Sequence, residues 1–149
     1  MRVGDLAPEF SLPDQDGTMR SLNELLEGGP VVLFFYPAAM TKGCTKESCH
    51  FRDLRAEFAA IGAQRVGISM DSVDKQAAFS TKHGFDYPLL ADVDGAVAKQ
   101  YGVKRKLDLL RTKRSTFVID PDRRIRGVIN AEFSFETHAD KALALLSEA

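Results

Sequence analysis

The chain has 149 residues, with 20 Lys plus Arg against 21 Asp plus Glu and a formal net charge of −1. That balance argues against a nucleic-acid binder, whose affinity comes mostly from phosphate contacts and needs a basic excess. At 44 % hydrophobic and 28 % charged residues, the composition also excludes a disordered or collagen-like chain.

A chain of this length buries roughly 68–70 % of its unfolded surface, so residues 1–149 are expected to form one domain without metal or disulfide staples. The longest apolar run, Val31 to Tyr36, is far short of the ~20 residues that span a bilayer, so no membrane association is expected. Asp5, Pro8 and Glu9 break any secretory h-region at the start. A cytoplasmic protein is the resulting expectation.

Phe10 to Leu12 and Thr18 to Leu22 flank Asp14-Gln15-Asp16-Gly17, which predicts a small hairpin with Asp-Gly supplying the turn. Ser21 to Glu27 suits a short helix stopped by Gly28-Gly29-Pro30. Val31 to Tyr36, rich in β-branched and aromatic residues and stopped by Pro37, predicts a central strand buried on both faces. Phe51, Leu54, Phe58 and Ile61 then recur at helical steps, predicting one amphipathic helix ended by Gly62. Val66 to Met70 is the next strand, and Val73 to His83 the next helix, ended by Gly84. Tyr87 to Leu90 suits a short strand, and Val93 to Tyr101 a helix ended by Gly102. Thr116 to Asp120 and Ile125 to Ile129 flank the turn Pro121-Asp122-Arg123. Ala139, Ala142, Leu143 and Leu146 mark one face of a closing helix. This order predicts an α/β fold with a mixed central sheet flanked by helices and an N-terminal hairpin. A parallel pair followed by a hairpin and a last helix points to a thioredoxin-like fold.

Two cysteines are present, Cys44 and Cys49. So few thiols, placed so close, do not read as the framework of a disulfide-stapled secreted domain. Packing, metal ligation, catalysis and a redox switch remain open. Cys44 falls where the central strand gives way to a helix, three residues after Thr41, a good N-cap. Unpaired N–H groups and the positive end of the helix dipole gather in that first turn, with Lys42 and Lys46 beside it. Such surroundings favour the thiolate, the nucleophilic form. On one helix a five-residue step separates the Cα atoms of Cys44 and Cys49 by roughly 8–9 Å, whereas a disulfide needs less than ~7 Å. The two can bond only if the helix start unwinds, unlike a Cys-x-x-Cys redox pair. Zinc on Cys44, Cys49 and His50 lacks the second ligand pair of a structural site, since His83 and His138 stand apart. The three histidines read instead as surface or satisfied polar residues.

Pro37-Ala38-Ala39-Met40-Thr41-Lys42-Gly43-Cys44 fits a P-x-x-x-T-x-x-C pattern. With Phe35-Tyr36 before it and Thr45-Lys46-Glu47-Ser48-Cys49 and Phe51-Arg52-Asp53 after it, the string resembles the peroxiredoxins. The match is to their Q-type, or bacterioferritin comigratory, branch. Gly4 to Phe10 and Arg114 to Asp122 extend the resemblance along the chain. Lys42 stands where the branch often has proline, and Ala38-Ala39-Met40 is less polar than its usual stretch.

The resemblance implies a thiol peroxidase acting on hydrogen peroxide and organic hydroperoxides, with no metal, flavin or haem. It implies that Cys44 is the peroxidatic cysteine, oxidised to a sulfenic acid, and that Thr41 hydrogen-bonds thiolate and peroxide. Arg114 would polarise the peroxide, and Pro37 would shield the pocket from water. Cys49 would be the resolving cysteine, forming an intramolecular disulfide that a thioredoxin-type dithiol reductant reopens. An internal pair removes the chemical need for a partner chain, so a monomer is favoured over a dimer. The rival reading is a redox-switched sensor or chaperone-like binding protein using the same cysteines. Two further expectations come from the residues themselves. Phe35, Ala38, Ala39 and Met40 should wall the pocket with apolar surface and favour bulky alkyl or fatty-acid hydroperoxides. The basic run from Lys104 to Arg114 reads as a solvated loop, or else as a docking patch for an acidic partner.

Overall fold

Ser11–Pro13 (β1) and Met19–Ser21 (β2) pair antiparallel around the Asp14–Gly17 turn. The Asp14 carboxylate closes that turn by accepting from the N–H groups of Asp16 and Thr18. Ser21 then caps α1 (Leu22–Leu26), its hydroxyl accepting from the Glu24 N–H. The structure is a computed structural model that describes residues 1–105, 112–132 and 134–148.

Five further strands form one mixed sheet: Val31–Phe35 (β3), Gln64–Ser69 (β4), Leu89–Ala91 (β5), Ser115–Ile119 (β6) and Ile125–Asn130 (β7). Their order is β5-β4-β3-β6-β7. β3 lies parallel to β4 and antiparallel to β6, so both its edges are hydrogen-bonded. Its faces are covered as well, which is why every residue from Val31 to Tyr36 is buried. Val31, Leu33 and Phe35 pack on one side with Phe10, Val97, Tyr101 and Phe117. Val32, Phe34 and Tyr36 pack on the other with Cys44, Phe51, Phe58, Phe79 and Ala139. The second side is roofed by α2 (Lys42–Asp53), α3 (Arg55–Ala60), α4 (Val73–His83) and α6 (Thr137–Ser147). The short α5 (Ala96–Gln100) lies on the first. The mixed sheet, its flanking helices and the hairpin are those expected from the sequence.

Three boundaries differ for reasons the contacts show. The single helix expected through Phe51 and Ile61 is two, α2 and α3, broken at Leu54 (φ −91°, ψ 21°). The Phe51 carbonyl, which would accept from the Arg55 N–H in an unbroken helix, accepts instead from the Arg65 guanidinium at 2.9 Å. α5 starts at Ala96 rather than Val93, because the buried Asp92 carboxylate accepts from the N–H groups of Val97 and Ala98 and caps it there. β5 begins at Leu89 rather than Tyr87, since Pro88 has no N–H to give to a ladder.

The turns at the far end of β3 and β4, remote from Cys44, are packed tightly. Gly29 has φ +122°, and a Cβ there would lie 2.2 Å from the Gly62 carbonyl oxygen. Backbone strain alone at such a φ costs about 1–3 kcal/mol for a residue with a side chain. Gly29→Ala is therefore expected to lower unfolding stability by about 2 kcal/mol or more in urea titration.

Candidate active site

The segment after β3 is held in place before the helix begins. Pro37 is buried, and the Tyr36 carbonyl accepts from Thr112 Oγ1 at 3.0 Å. The Ala39 N–H donates to Asp71 Oδ2 at 2.7 Å, and Ser69 Oγ donates to the same oxygen. Met40, exposed, turns the chain with φ +69°, a conformation that costs a residue with a side chain about 1–2 kcal/mol. These contacts set the start of α2 at the end of the sheet where β3 finishes and β6 begins.

Cys44 sits in the first turn of α2 and is buried, 1 % exposed. Arg114, immediately before β6, reaches it: Nη2 donates to Cys44 Sγ at 3.4 Å. The same guanidinium donates through Nη1 to Glu47 Oε1 at 2.8 Å and through Nε to the Glu132 carbonyl at 3.2 Å. The Phe135 ring covers its face, with the centroid 4.8 Å from Cζ. Burial alone would pull Arg114 down, but the neighbouring Glu47 and Cys44 hold it above its ordinary range. A fixed positive charge thus faces the sulfur in a buried site, where it stabilises negative charge developing beside it.

Glu47 is fully buried, and burial pushes its carboxyl up to about 8 against the lowering effect of Arg114. Burial thus biases Glu47 toward its neutral form, in which less of the Arg114 charge is drawn away from the sulfur. Its Oε2 has no hydrogen-bond partner among the described residues and lies 3.7 Å from His138 Nδ1. His138, on α6, is buried too. Its Nε2 lies 2.7 Å from the Ala131 carbonyl and its Nδ1 2.7 Å from Thr116 Oγ1. A carbonyl can only accept, so Nε2 carries the hydrogen and Nδ1 accepts from Thr116. Burial holds His138 below its ordinary range, which keeps the imidazole neutral.

Thr41 occupies the N-cap position, but its hydroxyl does not cap the helix. It donates to the Ala38 carbonyl at 2.8 Å and makes no hydrogen bond to Cys44 here. Cys49 lies on the same unbroken helix as Cys44, and both are free thiols. Helix geometry keeps their Cα atoms roughly 8–9 Å apart, too far for a disulfide. Burial pushes the Cys49 thiol up, so it stays protonated at neutral pH. Phe35 does not wall the site. It is fully buried on the opposite face of the sheet, against Tyr101 and Phe117, because alternate strand residues point to opposite faces. Ala38 is half-buried and Met40 exposed at the site's edge.

Arg114 is therefore brought to Cys44, Thr41 stands at the N-cap of the same helix, and Pro37 is buried in the segment that leads to it. Glu47 had a readable signal, since it stands three residues after Cys44 on the same helix face. Glu132, Phe135 and His138 had none, because they arrive from the far end of the chain. His138 is satisfied and buried as expected, but within reach of Glu47 rather than isolated. His50 pairs with Asp140 at 2.8 Å, and among the described residues no group of three or more His, Cys, Asp and Glu is placed to hold a metal. Within the basic run, Arg105 pairs with Glu132 at 2.6 Å, whose Oε1 also accepts from the Arg114 N–H. Residues 106–111 of that run lie outside the described residues.

Residues 3–128 match the AhpC/TSA family. The chain belongs to it. Peroxidoxin BcpB of Mycobacterium tuberculosis, known from a crystal structure, is 62 % identical with a TM-score of 0.95, over 98 % of this chain and 96 % of that one. The bacterioferritin comigratory protein of Xanthomonas campestris, whose alkyl peroxide reduction activity has been studied through trapped intermediate and ligand complexes, is 32 % identical. Its TM-score is 0.87 over 98 % of this chain and 97 % of its own. The chloroplastic peroxiredoxin Q of Sedum lineare is 41 % identical over 143 residues, 96 % of this chain and 76 % of that protein. The Q-type resemblance read from the sequence stands, and with it the peroxiredoxin fold. No helix of the described residues is long and apolar enough to cross a membrane.

Two outcomes follow from this geometry. Arg114→Ala should slow peroxide consumption by reduced protein on the order of 10²-fold, the usual effect of removing one preorganised donor. Arg20→Ala, at the remote hairpin, should not; stopped-flow with equal peroxide concentrations checks both. Glu47 keeps a proton in the folded state that the unfolded chain releases near 4.5. Its contribution is therefore fully present below that pH and is lost as pH rises through about 8. Thermal melts should show wild type losing stability relative to Glu47→Gln between pH 5 and pH 9, never gaining it.

Proposed function

We propose that this peroxiredoxin reduces hydrogen peroxide and organic hydroperoxides through Cys44, with Cys49 completing an internal dithiol cycle. The observation that carries the reading is the buried guanidinium of Arg114, 3.4 Å from the Cys44 sulfur. The Cys44 thiolate attacks one oxygen of ROOH. The S–O bond forms, the O–O bond breaks, and the leaving alkoxide takes a proton to depart as alcohol, or as water from hydrogen peroxide. Arg114 donates to the charge as it moves from sulfur to oxygen. Thr41 already spends its hydroxyl hydrogen on Ala38, so it offers lone pairs to the peroxide O–H rather than a donor to the sulfur. Pro37, buried beside Ala39, limits the water around the thiolate.

The sulfenic acid then meets Cys49. The Cys49 thiol displaces hydroxide from Cys44, its proton leaves with that hydroxide as water, and an S–S bond joins the two sulfurs. Their separation on α2 requires the first turns of the helix to open. Each backbone hydrogen bond lost there costs a net ~0.5–1.5 kcal/mol, within the range of ordinary helix-end fraying. A thioredoxin-type dithiol protein restores both thiols by exchange and needs that opened form, because Cys44 is buried in the reduced one. Both cysteines belong to one chain, so a monomer in the cytoplasm suffices. A sensor or chaperone-like protein with the same pair would react once and stop, whereas this reading requires repeated turnover.

Cys49→Ser separates these readings. It should consume one equivalent of peroxide per chain, stall as a sulfenic acid and over-oxidise to the sulfinic acid, as read by intact mass. Normal turnover of Cys49→Ser with a thioredoxin system would show that another thiol resolves Cys44.

A further inference from the structure

Helix α2 is anchored unevenly. Its second half is tied to the fold: Phe51 stacks on Phe34 at 4.0 Å, Tyr87 donates to the Ser48 carbonyl at 2.7 Å, and Arg52 donates to the His83 carbonyl at 2.8 Å. Its first turn has no side-chain cap and no acidic residue to meet the dipole. Two contacts made from outside the helix bear on that turn. One is Arg114 on the Cys44 sulfur. The other is Phe135, from the segment just before α6, whose ring lies so close to Gly43 that a Cβ there would meet Cε1 and Cζ at 2.7 Å. The same ring covers the Arg114 guanidinium at 4.8 Å.

These contacts respond differently to oxidation. Turning the thiolate into a neutral sulfenic acid weakens the charge-assisted bond from Arg114. The contact of Phe135 with Gly43 depends on shape and is untouched by the chemistry at sulfur. We propose that Phe135 is a positioning residue that clamps the first turn of α2 onto Arg114, and that its release controls how fast oxidised Cys44 reaches Cys49. The inference rests on the internal-disulfide reading above. In the step it controls, the Cys44 S–O bond breaks, the S–S bond to Cys49 forms, and the Cys49 proton departs with the hydroxide as water.

A slow clamp leaves the sulfenic acid in its peroxide pocket for longer, where a second peroxide converts it to the sulfinic acid. Phe135 thereby sets the balance between recycling and over-oxidation. Its place on a loop that leads into α6 also means that anything displacing this loop would speed resolution. Cys49 needs no such release, because the anchored half of α2 keeps it in place.

The test follows the second phase of oxidation after the first is complete, by rapid acid quench and intact mass, so that changes in peroxide attack drop out. The proteins compared are wild type, Phe135→Ala, Phe135→Leu and Phe135→Tyr, each checked for native circular dichroism. Losing one ring–guanidinium contact of this kind corresponds to about a two- to fivefold change in rate. Disulfide formation in Phe135→Ala should accelerate by at least that factor, and the peroxide concentration giving half sulfinic acid should rise in parallel. Phe135→Tyr, which keeps the ring, should match wild type, and Phe135→Leu should fall between. An unchanged or slower second phase in Phe135→Ala, or in Phe135→Leu should the alanine variant fail to fold, overturns the clamp. If wild type itself forms no Cys44–Cys49 disulfide, the disulfide reading fails and this inference falls with it.

Discussion

A guanidinium buried beside a sulfur is the constraint around which the site is built. Arg114 cannot shed its charge, and a charge removed from water is tolerated only when its hydrogens are met. The site meets them with Cys44 Sγ, Glu47 Oε1 and the Glu132 carbonyl, and covers the face with Phe135. These partners come from three parts of the chain: α2 supplies Cys44 and Glu47, the segment after β7 supplies Glu132, and the approach to α6 supplies Phe135. Arg114 is therefore at once the electrostatic partner of the thiolate and the point where three segments are drawn together.

The same constraint explains an otherwise costly pair of groups. Glu47 and His138 are both fully buried and 3.7 Å apart, yet each is shifted by burial toward its neutral form. A neutral Glu47 still accepts from Arg114 through one oxygen, so it orients the guanidinium without cancelling its charge. An ionised Glu47 would share that charge and weaken its hold on the sulfur. Burial thus directs electrostatic attraction toward the Cys44 sulfur. The uneven anchoring of α2 complements this arrangement, because the half bearing Cys49 is fixed by aromatic stacking and carbonyl bonds while the half bearing Cys44 is held by contacts that can let go.

Much of the fold was legible in local pattern. The apolar run from Val31 to Tyr36 marked the strand with both faces covered, and α4 runs from Val73 to His83 with Gly84 in the left-handed conformation that ends it. The boundaries that moved did so for tertiary reasons. Arg65 took the Phe51 carbonyl and split a helix that periodicity alone joins, and Asp92 chose where α5 begins. Periodicity records which face of a segment is apolar. It does not record which distant side chain competes for a backbone hydrogen bond.

The sequence by itself determined the family, because Pro37, Thr41, Cys44, Cys49 and Arg114 lie in strings that resemble it, and those strings supplied the candidate residues. It also determined that Cys44 and Cys49 cannot bond on an intact helix, since a five-residue step has a fixed length. The tertiary structure alone decided that Phe35 faces away from the site, that the Thr41 hydroxyl points to Ala38, and that Glu47, Glu132, Phe135 and His138 surround Arg114. Each of those depends on the direction of a side chain or on segments distant in the chain meeting, 18 residues apart for Arg114 and Glu132 and 70 for Arg114 and Cys44. Local patterns cannot encode such meetings. They arise from closing the sheet with β6 beside β3 and laying α6 across α2, which is a property of the packed whole.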